Sequence, residues 1–278
     1  MRAIATVALT ALCSTVVSAD VTITQTMAME GQMAALTAGK MPQMVTRVKG
    51  LKARADIDVQ GQTISSITDL ALKQVILLRS EGKTATIMAP GTPPPVAGGM
   101  MTMPKVDFTM KPTGQSRTID GMTCDEQALT MAMDMAQFGA SSQMPPEAAQ
   151  MMKDVKMMAS GSLWITKTAP GAEEFIAFQK AALDSNMLSA LSSMIPSQGG
   201  MEKLIAAATS APGIPCVMEI TMSFEGTGPM VDAMKQMGPM KMVQKTTKIS
   251  LDPVPDSAFT IPADYKVENK VEKKIDKK

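Results

Sequence analysis

The 278-residue sequence carries a formal net charge of +1, no histidine and only 3% aromatic residues. Near-neutral charge leaves no broad electrostatic case for nucleic acid, and scarce aromatics remove the stacking platforms that single strands need. The missing histidine removes the commonest general base and the commonest metal ligand together.

The chain opens as a targeting segment. Arg2 supplies a positive start, residues 3–12 are an apolar run too short to span a bilayer, and Val17-Ser18-Ala19 offers small residues where signal peptidase reads. Cleavage is expected between Ala19 and Asp20, with residues 1–19 removed. Cys13 follows the bulky Leu12, which argues against a lipoprotein signal. No later stretch has the length and apolarity of a transmembrane helix. The expected location is periplasmic or secreted.

In the mature chain, Val21, Ile23, Met27 and Met29 alternate with Thr22, Thr24, Thr26 and Glu30, the period of two of a strand. Residues 31–42 read as a short helix or an irregular link. Residues 44–88 then read as an antiparallel meander with one dry side. Leu51, Ala53, Ala55, Ile57 and Val59 alternate there with Lys52, Arg54, Asp56 and Asp58. Residues 90–104 are too rich in Pro and Gly to be regular. Strand 105–111, a Thr113-Gly114 turn and residues 117–119 follow, then a long strand over 122–135 with Leu129, Met131, Met133 and Met135 on one face.

Pro145-Pro146 marks a helix start, with Ala148, Met151, Met152, Val155 and Met158 at helical spacing. Residues 160–167 return to strand. A helical region opens at Pro170-Gly171, with Phe175, Phe178, Ala182 and Leu183 in one stripe, extended by residues 187–194. A further helix covers 201–209. Residues 215–225 are a strand with Cys216, Met218, Ile220, Met222 and Phe224 all on one face. A short helix between Gly228 and Gly238, a strand over 241–251 and another over 259–262 close the pattern. The Lys-rich residues 267–278 read as a solvated tail. This is an α+β class: residues 20–266 form one domain, a single curved antiparallel sheet with helices against its open face and helical insertions around 140–210.

Three short segments carry a family resemblance. Residues 66–88, SITDLALKQVILLRSEGKTATIM, read as an Asp-Leu-x-x-Lys turn, a hydrophobic strand and a Lys-Thr hairpin. Residues 259–266, FTIPADYK, form a Phe-x-Ile-Pro-x-x-Tyr closing strand, and Thr113-Gly114-Gln115 with Ile119-Asp120-Gly121-Met122-Thr123-Cys124 fits the middle hairpins. Together they resemble an uncharacterised secreted branch of the LolA-like lipoprotein carriers, over residues 20–135 and 215–266. The resemblance implies an incomplete, strongly curved barrel whose open side is plugged by helices and whose concavity takes lipid or acyl chains. It transfers no site residue.

Cys124 and Cys216 are the cysteines left after cleavage, and an even count in an oxidising space favours a disulfide over two buried thiols. The 30 methionines include the Met-x-Met pairs at 27/29, 101/103, 131/133 and 240/242. On a strand that spacing puts both thioethers on one face. Core packing produces the same pattern, as does a plastic ligand surface, and thioethers also suit Cu(I). Phosphate-loop, nucleophile-elbow and metal-cluster motifs are absent. Ser80-Glu81-Gly82-Lys83 and Asp56-x-Asp58 match short motifs by chance, and Asp125-Glu126 reads as a solvated carboxylate pair without a partner.

The expected function is therefore a non-enzymatic protein, with no cofactor and no nucleic-acid partner, that binds an apolar small molecule or lipid on a Met-lined concave sheet. The expected cavity residues are Leu129, Met131, Met133, Met218, Ile220, Met222, Phe175 and Phe178. The alternatives are a Cu(I) or Ag(I) binder using Met100, Met101 and Met103, and a structural envelope protein whose cavity is filled by its own helices.

Overall fold

The computed structural model describes residues 20–30, 42–59, 61–88, 106–135, 154–185, 211–236 and 238–268. The signal segment, the 31–41 link, the 90–104 segment with Met100, Met101 and Met103, the helices expected over 187–194 and 201–209, and residues 269–278 of the tail lie outside these.

Among the described residues, twelve strands form one curved, unclosed sheet. In chain order they are β1 (Val21–Glu30), β2 (Gln43–Lys49), β3 (Lys52–Val59), β4 (Gln62–Asp69), β5 (Gln74–Arg79), β6 (Thr84–Met88), β7 (Val106–Ile119), β8 (Met122–Asp134), β9 (Lys156–Thr166), β10 (Ile214–Glu225), β11 (Met240–Ser250) and β12 (Lys266–Val267). Helix α1 (Ala172–Asp184) lies between β9 and β10, and α2 (Pro229–Gln236) between β10 and β11. The spatial order is β12-β6-β5-β4-β3-β2-β1-β11-β10-β9-β8-β7. Strand β1 therefore sits mid-sheet and joins the two halves: it pairs with β2 on one side and with β11, from the far end of the chain, on the other.

Several expectations change. The sheet is mixed, because β12 runs parallel to β6. Residues 259–262 form no ladder. A 3-10 turn at Asp256–Phe259 takes in the first of them, and only Lys266–Val267 pairs. The tail is thus held at its start, where the Glu268 N–H donates to the Ala85 carbonyl at 2.8 Å. Residues 156–158 are strand, so the helix expected to reach Met158 does not. The Thr113-Gly114 turn is a bulge within one long β7, where the register shifts between Pro112 and Ser116 and Gly114 supplies φ +78°.

Two cores sit on opposite faces. On the first face, Val21 and Ile23 of β1 and Val48 of β2 pack against Ala172, Phe175 and Ile176 of α1. The same helix reaches Leu70 and Val75 through Phe178 and Ala182. Each fully buried aliphatic side chain contributes roughly 1.5–3 kcal/mol. Gly171, at φ +76°, starts α1 where a Cβ would stand 2.6 Å from the Val21 side chain, so helix and strand meet with no room for another residue type. On the other face, Ile67, Ile76, Leu78 and Ala85 are covered by Val254 and Phe259 of the C-terminal segment. The charged side of the meander is therefore not solvated there. Arg54 donates to the Ala258 carbonyl at 2.9 Å and to Asp56 at 2.7 Å, and Arg47 also pairs with Asp56.

Candidate functional site: a methionine-rich sheet face

Cross-strand partners in a sheet point to the same side, so the register defines rows of side chains. On the face shared with Val21 and Ile23, one row runs Met110, Leu129, Gly161, Ile220, Met242, Met29 across β7, β8, β9, β10, β11 and β1. The next runs Phe108, Met131, Ala159, Met222, Met240. A third runs Val106, Met133, Met157, Phe224. On the other side of the first lies Pro112, Gln127, Leu163, Met218, Gln244, Met27. No position in the four rows is ionisable.

The reverse face of the same strands is mixed, with charged and hydroxyl side chains among Ala128, Ala132, Met158 and Val243. Thr109, Thr130, Ser160, Thr221, Lys241 and Glu30 form the matching row there, with Thr109 and Thr130 hydroxyls 2.6 Å apart. The two faces differ because the period of two holds on β7 to β11 without interruption between these rows. Most of the Met side chains are half-buried, and Met29 is 36% exposed.

The centre of the face is low. Gly161 and Ala159 of β9 stand between the bulky residues of β8 and β10. A Cβ on Gly161 would lie 1.8 Å from the Glu219 carbonyl oxygen, so the close approach of β9 and β10 requires glycine. The result is a short, shallow trough two residues long on β9, flanked by Leu129 and Met131 on one side and Ile220 and Met222 on the other, and closed at its ends by Leu163 and Met157.

The structure thus places Leu129, Met131, Met133, Met218, Ile220 and Met222 on one face. Phe175 and Phe178 lie elsewhere on it, with the β1, β2 and β5 side chains of the first core. A buried polar chain stands between the two regions. Gln244 donates to the Gln25 side-chain amide oxygen at 3.1 Å, Gln25 donates to the Thr246 hydroxyl at 3.3 Å, and Thr246 donates to the Pro215 backbone carbonyl. Gln25 is only 4% exposed, and these bonds offset the cost of burying its amide.

Cys216 departs from its expected face. A bulge between Pro215 and Val217 takes it out of step with Met218. It joins Cys124, Trp164 and Val217 in a cluster on the reverse side of the sheet. Cys124 and Cys216 form a disulfide with Cα atoms 6.6 Å apart. Their strands are not neighbours, so the bond staples β8 to β10 across the last residues of β9, with Cys124 level with Thr166 and Cys216 in the bulge beside Ile165 and Trp164. The Arg117 guanidinium covers the Trp164 ring at 4.0 Å, and Asp120 at the β7–β8 turn pairs with Lys245 of β11 at 3.0 Å. The hairpin end therefore folds over this cluster.

Sequence reasoning missed a pocket of about 390 Å³ at the β7 bulge, lined by Ser116, Asp125, Glu126, Gln127, Ile165 and Lys167 among others. The signal was the Asp125-Glu126 pair, read as partnerless. Each carboxylate accepts a hydroxyl: Asp125 from Ser116 at 2.6 Å, Glu126 from Thr113 at 2.8 Å. A second pocket, about 210 Å³, lies on the reverse face beside Thr24, Arg47 and Lys248. Asp56, next to Arg47, is the perturbed acid of this region. Burial raises its pKa, but hydrogen bonds from Ser65 and Arg54 and the charges of Arg54 and Arg47 outweigh that and hold it below the usual carboxylate range.

Among the described residues no group of three Asp, Glu or Cys side chains is placed to hold a metal, and no helix is long and apolar enough to cross a membrane. No family model and no curated protein matches the chain. Among solved structures it is similar to the lipoprotein LppX of Mycobacterium tuberculosis, at 11% identity and a TM-score of 0.24, over 84% of this chain and 88% of that one.

Proposed function

We infer that this protein is a non-enzymatic carrier that holds an apolar, acyl-type ligand against the Met rows of β7 to β11. The observation that carries the reading is the register: side chains from six strands, distant in sequence, form one uninterrupted uncharged surface with a short trough at Ala159 and Gly161. Methionine is unbranched and polarizable, so such a surface repacks around chains of different length. Each methylene removed from water contributes about 0.8 kcal/mol, enough for useful affinity without a charged anchor. The LolA-like resemblance of the sequence motifs belongs to the same reading. So does a periplasmic or secreted location after cleavage at Ala19. Asp20, the residue that would then begin the chain, accepts the Val254 N–H at 2.7 Å, which gives the new terminus a structural part.

The test is native mass spectrometry of protein taken from its own secreted fraction, followed by organic extraction. A co-purifying acyl compound supports the reading. Protein that carries nothing and binds no hydrocarbon probe overturns it and leaves the self-filled structural alternative.

Thioether binding of Cu(I) or Ag(I) is the second reading, favoured by three directly opposed pairs among the described residues, Met133 with Met157, Met222 with Met240 and Met242 with Met29. Its original ligands, Met100, Met101 and Met103, lie outside the described residues. Replacing those three with Leu weakens Cu(I) binding more than tenfold under the metal reading and leaves acyl binding unchanged under the carrier reading.

A further inference from the structure

The pocket at the β7 bulge adjoins the Met rows through one residue. Gln127 lines it and stands two positions before Leu129 on the same side of β8. From Gln127 to Met133 the strand covers about 20 Å, at roughly 3.3 Å per residue, a span comparable to an extended long acyl chain. The two regions have opposite chemistry. The rows hold no ionisable group, whereas the pocket holds the Asp125 carboxylate and Lys167; Glu126, the next residue on β8, turns its carboxylate to the Trp164 side.

The Asp125 carboxylate has spare capacity. It presents about four acceptor sites, of which Ser116 uses one. A hydroxyl can donate to it and accept from the Gln127 amide or the Lys167 ammonium. A free carboxylate entering the same space would meet the like charge of Asp125 beside that ammonium. Shifted towards the rows instead, it would be stripped of water with no counter-charge at all, which costs far more than burying a paired group.

We propose that this pocket is the head-group end of the acyl site, and that it selects an uncharged, hydroxyl-bearing head, such as the glycerol of a monoacylglycerol, over a free fatty acid. The inference rests on the carrier reading above. It makes Asp125 and Gln127 specificity residues and leaves the Met rows to hold the chain.

The experiment displaces diphenylhexatriene, a hydrocarbon with no head group, from the full secreted protein at pH 8, using monopalmitoylglycerol or palmitate. The glyceride is expected to act at a concentration at least tenfold below that of palmitate. Asp125→Lys is expected to close that gap by improving palmitate, and Gln127→Leu to weaken the glyceride alone. Asp125→Asn, a milder change at an exposed position, is expected to move the ratio in the same direction as Asp125→Lys, with circular dichroism confirming the fold of each variant. Equal displacement by both lipids in the wild type, or a ratio that no variant moves, overturns the head-group inference while the carrier reading stands. A wild type that never binds the hydrocarbon overturns both.

Discussion

Met222 of β10 stands directly opposite Met240 of β11, and on the other side of Met222 the next strand offers only Ala159. A bulky thioether thus leans over a small neighbour, and the same step recurs one row along, where Ile220 borders Gly161. The trough depends on these size differences. Gly161→Ala is expected to force β9 away from β10, because the new methyl would stand 1.8 Å from the Glu219 carbonyl oxygen. The cost is about 3 kcal/mol, at the upper end of overpacking. Urea unfolding would show it as a lower midpoint. An unchanged midpoint would mean that the two strands are not so close.

The Cys124–Cys216 bond closes a separation of 92 residues. In the chain-entropy model a loop of that size gives about 4–5 kcal/mol, and real proteins often show less. Reduction with a strong thiol, or a double Cys→Ser variant, is expected to lower the unfolding midpoint substantially. Peptide mapping of the unreduced protein should recover the two cysteines in one linked fragment. Two free thiols in protein from an oxidising compartment would contradict the pairing.

Much of this was readable in the residues, and the failures have a common physical cause. Alternation alone places Met131 with Met133 and Met218 with Met222, because side-chain direction in a strand is local. The same rule misplaced Cys216, since a bulge adds one residue and nothing local in Pro215-Cys216-Val217 announces it. It also made the Arg54 and Asp56 side of the meander look solvated. That side is covered by residues far later in the chain, as in the Arg54 to Ala258 bond across 204 positions, and no periodicity reports a contact of that range. The pocket at the β7 bulge was hidden for the first reason, and the separation of Phe175 and Phe178 from the Met rows for the second.

The buried charges of the meander predict an acid response. The folded-state pKa of Asp56 is lowered, so its contribution is fully present above the unfolded value of about 3.9 and is lost as pH falls through the folded value. Stability is therefore expected to hold from neutral pH to about pH 5 and to decline below about pH 4. Asp56→Asn should flatten that decline. It should also cost about 2 kcal/mol at pH 7, since the part-buried Arg47 and Arg54 lose their carboxylate. An acid limb identical in wild type and variant would assign the effect to other carboxylates.

The central claim is that one face of the β7–β11 half binds the ligand and the other does not. Neighbouring residues on β10 separate the two most directly: Met222 belongs to the Met rows, and Thr221 is exposed on the reverse side. Diphenylhexatriene binding should be titrated on wild type, Met222→Glu and Thr221→Glu, each checked for its fold by circular dichroism. The account predicts that Met222→Glu weakens binding by more than tenfold, because an unpaired carboxylate then stands in a surface without a counter-charge, and that Thr221→Glu leaves it unchanged. Loss of binding in Thr221→Glu with full binding in Met222→Glu would contradict it.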